Sequence, residues 1–89
     1  MNDLLSNLDR LHTTPLGIQR VIRNLSLEVP SPGIVGWCRE QIAKSHAVII
    51  RRGKNYYVHV DRYIFTVNAG SYTLITAHRT RQGPEPEQS

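Results

Sequence analysis

A chain of 89 residues, 39% of them hydrophobic, is long enough for one small domain with a single core. Its single cysteine excludes an intramolecular disulfide and points to a reducing compartment. No apolar run approaches the roughly 18 residues of a membrane-spanning helix, the opening residues do not read as a signal peptide, and the expected location is the cytoplasm.

The net charge of +4 is unevenly spread. Residues 44–81 hold seven basic side chains (Lys44, Arg51, Arg52, Lys54, Arg62, Arg79 and Arg81) against Asp61 alone, a local net of +6. Residues 1–43 are balanced, with Arg10, Arg20, Arg23 and Arg39 against Asp3, Asp9, Glu28 and Glu40, and Glu85 and Glu87 make the tail acidic. A basic half joined to a neutral one is the footprint of a surface that meets phosphates, and RNA is the expected partner.

In chain order, Leu4, Leu5, Leu8 and Leu11 make an apolar stripe of helical period, which Asn2 or Asp3 can cap. The stretch His12-Thr13-Thr14-Pro15 breaks it, and Thr13 or Thr14 can then cap a second helix whose first residue is Pro15 and whose stripe is Ile18, Val21, Ile22 and Leu25. Arg20 and Arg23 fall on its other side, the pattern of a solvated face. Pro30-Ser31-Pro32 marks a loop, with Ser31 as cap of a third helix carrying Ile34, Val35, Cys38 and Ile42. Gly33 and Gly36 weaken that helix, and suggest either close approach of another backbone or a loose helix start. Cys38 reads as a buried structural thiol, and Trp37, which neighbours the stripe, as a core plug ahead of a base-stacking platform.

From Ala47 the period changes from 3.6 to 2. Four strands are predicted, over residues 47–52, 55–60, 63–68 and 71–79, with two-residue links at 61–62 and 69–70. No link is long enough for a crossover, so every neighbouring pair should be antiparallel. The fold class is therefore α+β: three N-terminal helices packed on one face of a four-stranded antiparallel meander, as a single domain over residues 1–79 with a disordered tail over 80–89.

Strict alternation places Ile49, Tyr56, Val58, Val60, Tyr63, Phe65, Val67, Tyr72, Leu74 and Thr76 on the covered face. It places Ile50, Arg52, Tyr57, His59, Ile64, Thr66, Asn68, Ser71, Thr73, Ile75 and Ala77 on the other, with Thr66 opposite Thr73. His78 falls on the covered face, and needs a β-bulge or a free strand end to join His59.

The chemistry is narrowed by what is scarce. Residues 44–81 carry one acid, too few for a metal-dependent phosphoryl-transfer centre, and one cysteine with four scattered histidines does not make a zinc site. No metal or cofactor is expected. Cleavage of RNA by its own 2′-OH needs a proton acceptor, a proton donor and cations. His59, His78, Tyr57 and Thr73 are the catalytic candidates; Arg51, Arg52, Lys54, Arg79, Thr66 and Asn68 are the candidates for holding RNA.

Helices followed by a compact four-stranded antiparallel sheet resemble the barnase–EndoU–colicin–RelE superfamily of small ribonucleases, many of them toxins. The stretch Tyr72-Thr-Leu-Ile-Thr-Ala-His78 is similar to the closing strand of such domains. Arg52-Gly-Lys-Asn-Tyr-Tyr57, Thr66-Val-Asn68 and Ile75-Thr-Ala-His78 also resemble a family of small uncharacterised bacterial proteins. The superfamily resemblance implies a toxin-like, metal-independent endoribonuclease restrained by a cognate antitoxin or other protein partner. The alternatives are a non-enzymatic RNA-binding module, or a small phage-type inhibitor that blocks a host nucleic-acid-binding complex.

Overall fold

The computed structural model describes residues 3–27 and 33–80. Three helices precede four strands: α1 (Asp3–Ser6), α2 (Pro15–Leu25), α3 (Ile34–Ile42), β1 (Val48–Arg52), β2 (Asn55–Val60), β3 (Tyr63–Asn68) and β4 (Leu74–Arg79). The strands form one antiparallel sheet in the order β1-β2-β3-β4. The fold is α+β. The expected cap at Ser31 and the tail beyond Thr80 lie outside the described residues. Thr80, expected to open the tail, still donates to the Arg62 carbonyl at 2.7 Å.

The N-terminal leucine stripe is not one helix. α1 ends at Ser6, and a 3-10 turn over Leu8–Arg10 follows. Leu4 and Leu11 are buried while Leu5 is 47% exposed. The break is held by Arg39 of α3, whose Nε and Nη2 donate to the carbonyls of Leu8 and Leu11, each at 2.8 Å. A guanidinium satisfies two carbonyls that a continuing helix would have bonded internally.

α2 follows its sequence signals. Thr14 caps it, its Oγ1 accepting from Gly17 N at 3.0 Å, with Pro15 as first helical residue. At its end Ser26 takes a left-handed conformation, and Leu27 N reaches back to Ile22 O at 3.1 Å. That is the Schellman closure, here without glycine. α3 begins at Ile34 with Gly33 before it, and Gly36 has open space where a side chain would stand, so no backbone approaches there.

Leu4, Leu11, Val21, Leu25, Ile34, Cys38 and Ile42 meet Tyr56, Val58, Val60, Phe65, Val67, Leu74 and Ala77 in one core. Side chains from a 3.6-residue period thus close over every second residue of the sheet.

The β2–β3 link is as expected, with Val60 opposite Tyr63. The β3–β4 connection is not. Tyr72 N donates to Asn68 O, and Asn68 N to Thr73 O, both at 2.8 Å, so residues 69–72 form the loop and Ala69-Gly70 is not a two-residue hairpin turn. The Asn68 Oδ1 stabilises it by accepting from Gly70 N and Ser71 N, both at 2.9 Å. Tyr72 closes it with φ of 58°. Thr66 consequently faces Thr76, not Thr73.

A register shift follows. Val67 pairs with Leu74 but Thr66 with Thr76, which leaves Ile75 as the extra residue of a β-bulge. Beyond it every side chain changes face. Ala77, expected outside, is fully buried opposite Phe65, and His78, expected on the covered side, is exposed opposite Ile64.

Candidate functional site

The uncovered face of the sheet is built in cross-strand rows. Val48, His59, Ile64 and His78 form the first, and Ile50, Tyr57, Thr66 and Thr76 the second. Arg52, Asn55 and Asn68 form the third. Val48 is 55% and Ile50 39% exposed, while Thr66 is buried at 8%. Ile50, Arg52, Tyr57, His59 and Ile64 line a groove of about 560 Å³.

The bulge brings His59 and His78 onto one face and into one row, each paired with Ile64. Two inter-strand spacings separate their backbones, roughly 10 Å. Both imidazoles are exposed. Tyr57 lies two residues from His59 on the same face, and its hydroxyl accepts from Asn55 Nδ2 at 3.4 Å.

The remaining expected residues divide. Thr66 stands in the second row and Asn68 in the third. Thr73 does not join His59: its carbonyl is bonded at Asn68, four residues along β3 from Ile64, or roughly 13 Å. Arg52 lines the groove. Arg51, its neighbour, pairs with Tyr56 on the covered side, where its guanidinium lies 5.4 Å from the Tyr56 ring centre and its Nε donates to Gly53 O at 2.9 Å. Arg79 pairs with Tyr63, also of that parity. Lys54 sits in the β1–β2 turn, where its carbonyl accepts from Ala69 N at 2.8 Å.

One cluster has no counterpart among the sequence expectations. His12 bridges Thr73 in parallel, donating through its backbone to Tyr72 O and accepting from Leu74 N. Its Nδ1 lies 2.9 Å from the Arg10 carbonyl, which can only accept, so Nδ1 carries the proton. In the neutral ring Nε2 is then an acceptor for the Thr73 hydroxyl at 3.0 Å, and Thr73 Oγ1 meets Ser71 Oγ at 2.6 Å. Periodicity carries no signal for a contact 61 residues apart in sequence. The chain of groups fixes Thr73 to the N-terminal segment and removes it from the open face.

Burial pushes the Cys38 thiol up to about 12, which leaves it protonated and unreactive at neutral pH, as a structural thiol should be. Among the described residues no three His, Cys, Asp or Glu side chains gather into a group that could hold a metal ion. Among them, too, no helix is long and apolar enough to cross a membrane.

Fold and face together define a small α+β protein with an open antiparallel sheet, mixed polar and aliphatic, and a basic C-terminal half. The chain belongs to the family described as Protein of unknown function (DUF3781), which it matches over residues 5–78. No curated protein and no solved structure matches it.

Proposed function

We propose that the chain is a toxin-like endoribonuclease that cleaves RNA on the open sheet face by attack of the 2′-OH, with His59 and His78 exchanging the protons. The observation that carries this reading is their shared row. In an in-line displacement the attacking 2′-oxygen and the leaving 5′-oxygen lie on opposite sides of phosphorus. A base and an acid must therefore stand apart with one phosphate between them, each within about 3 Å of its oxygen. Backbones roughly 10 Å apart leave that space between two imidazoles.

In this reading the three helices back one face of the sheet and leave the other for RNA. Arg52 draws phosphate into the groove, Tyr57 and Asn68 position the strand, and Ile64 provides an apolar floor between the histidines. The toxin-like role, cytoplasmic action and a restraining antitoxin rest on the superfamily resemblance.

The test is cleavage of cellular RNA in EDTA. The expected products end in a 2′,3′-cyclic phosphate, and a substrate with 2′-deoxyribose at the cleavage site stays intact. His59→Ala and His78→Ala should each slow cleavage by about 10²–10⁴-fold with RNA binding nearly unchanged. RNA that is bound but never cut would overturn the catalytic reading. It would favour the non-enzymatic one, a binding or blocking module, for which exposed Val48 and Ile50 beside the groove are the supporting observation.

A further inference from the structure

Gln41 stands in the last turn of α3 with 9% of its surface exposed. Its carboxamide has no hydrogen-bond partner among the described residues. A side-chain amide with so little exposed surface and no protein partner is left to bond whatever enters the space beside it. This one lines a pocket of about 340 Å³ between α3 and the β2–β3 turn, with Trp37, Lys44, Asp61, Arg62 and Tyr63 as the other walls. That volume is at the lower end for small-molecule sites.

The walls have a consistent chemistry. Trp37 is held edge-on to Tyr63, with ring centres 5.2 Å apart at 74°, and it also packs on Phe65 at 6.0 Å. Two aromatic rings are thus fixed against each other in the wall of the pocket. Lys44 is paired with Asp61 at 2.9 Å, whereas the Arg62 guanidinium has no partner among the described residues. A free carboxamide offers one donor and one acceptor side by side, the pattern that reads a nucleobase edge. Aromatic walls suit the flat faces of a base. An unpaired guanidinium suits a phosphate.

We propose that this pocket binds a nucleoside monophosphate, its base hydrogen-bonded by Gln41 beside Trp37 and Tyr63 and its phosphate held by Arg62. The pocket is on the helix side, lined by Tyr63 of the covered-face parity, and it does not depend on the open face cleaving RNA.

Trp37 is the single tryptophan, so its fluorescence reports the pocket directly. The full chain is titrated with AMP, GMP, CMP, UMP and inorganic phosphate, by tryptophan emission excited at the red edge and by calorimetry. At least one nucleotide should bind saturably, about tenfold or more tighter than phosphate. Gln41→Leu, which keeps the volume and removes the unmet amide, should weaken that nucleotide by about tenfold without lowering the melting temperature. Arg62→Ala, at an exposed turn, should weaken it too and reduce its salt dependence. Arg52→Ala, which removes the cation of the open-face groove and does not line this pocket, should leave the nucleotide affinity unchanged, which separates this site from the open face. No saturable binding of any nucleotide, phosphate binding as tightly as the nucleotides, or wild-type affinity in both pocket variants would overturn the proposal.

Discussion

Asp61 sits in the β2–β3 turn with φ of 54° and accepts from Lys44 Nζ at 2.9 Å on one oxygen and from His46 at 2.8 Å on the other. It ties the end of the helical half to the sheet, because Lys44 and His46 belong to the link between α3 and β1. The Lys44 hydrogen bond, and then that of His46, hold its carboxyl below the usual carboxylate range. The folded-state value is depressed, so the stabilisation is fully present above the unfolded value of about 3.9 and is lost as pH falls through the folded one. Asp61→Asn tests this without disturbing the backbone, since asparagine also tolerates a left-handed conformation. The variant should melt below the wild type at about pH 6, and the gap should close by about pH 2. A gap that persists in acid would mean that the turn, not the charge, is what the carboxylate supports. The effect will be modest, because the pair is exposed, with 40% of each side chain open to solvent.

Two helical glycines separate propensity from packing at the scale of the element. A Cβ on Gly36 would meet nothing within 4 Å, so Gly36→Ala should stabilise α3 by up to about 1 kcal/mol through helix propensity alone. A Cβ on Gly17 would collide with Thr13 Oγ1, and that hydroxyl is not free to move, because it donates to Leu74 O at 2.8 Å and joins α2 to β4. Gly17→Ala should therefore lose about 1 kcal/mol or more despite the same gain in propensity. Urea unfolding of the two variants should shift the midpoint in opposite directions with an unchanged slope. Equal shifts would show that the Thr13 contact gives way. The contrast also marks what was legible in the chain. Thr14-Pro15 and the stripe from Ile18 to Leu25 declared α2, and alternation with a two-residue link declared the Val60–Tyr63 hairpin. Both are local. The face of His78 was not legible, because period-2 reading assumes no inserted residue, and the Ile75 bulge lies next to a loop set by Asn68 and by His12 from the other end of the chain. The split of the first leucine stripe was hidden for the same reason: its cause is Arg39, in another helix.

At the scale of the whole molecule the basic half does not carry one uniform charge, because the sheet sorts its cations by face. Arg51 and Arg52 are adjacent in sequence and equal in charge, yet Arg51 pairs with Tyr56 on the covered side and Arg52 with Asn55 on the open one. Arg79 shares the parity of Arg51. Diffuse attraction to a polyanion would feel all three alike, since screening over about 8–10 Å barely resolves the two sides of a sheet. Seating of RNA in the groove would not, because only a cation in contact with phosphate releases a counterion. If RNA binds the open face, Arg52→Ala should weaken binding and reduce the slope of log affinity against log salt by about one. Arg51→Ala and Arg79→Ala should leave that slope nearly unchanged. The measurement is an anisotropy titration of single-stranded RNA across a salt series. Three equal changes would mean that RNA is attracted by the net charge of residues 44–81 and does not lie on the sheet, and the row of His59 and His78 would then lose its substrate.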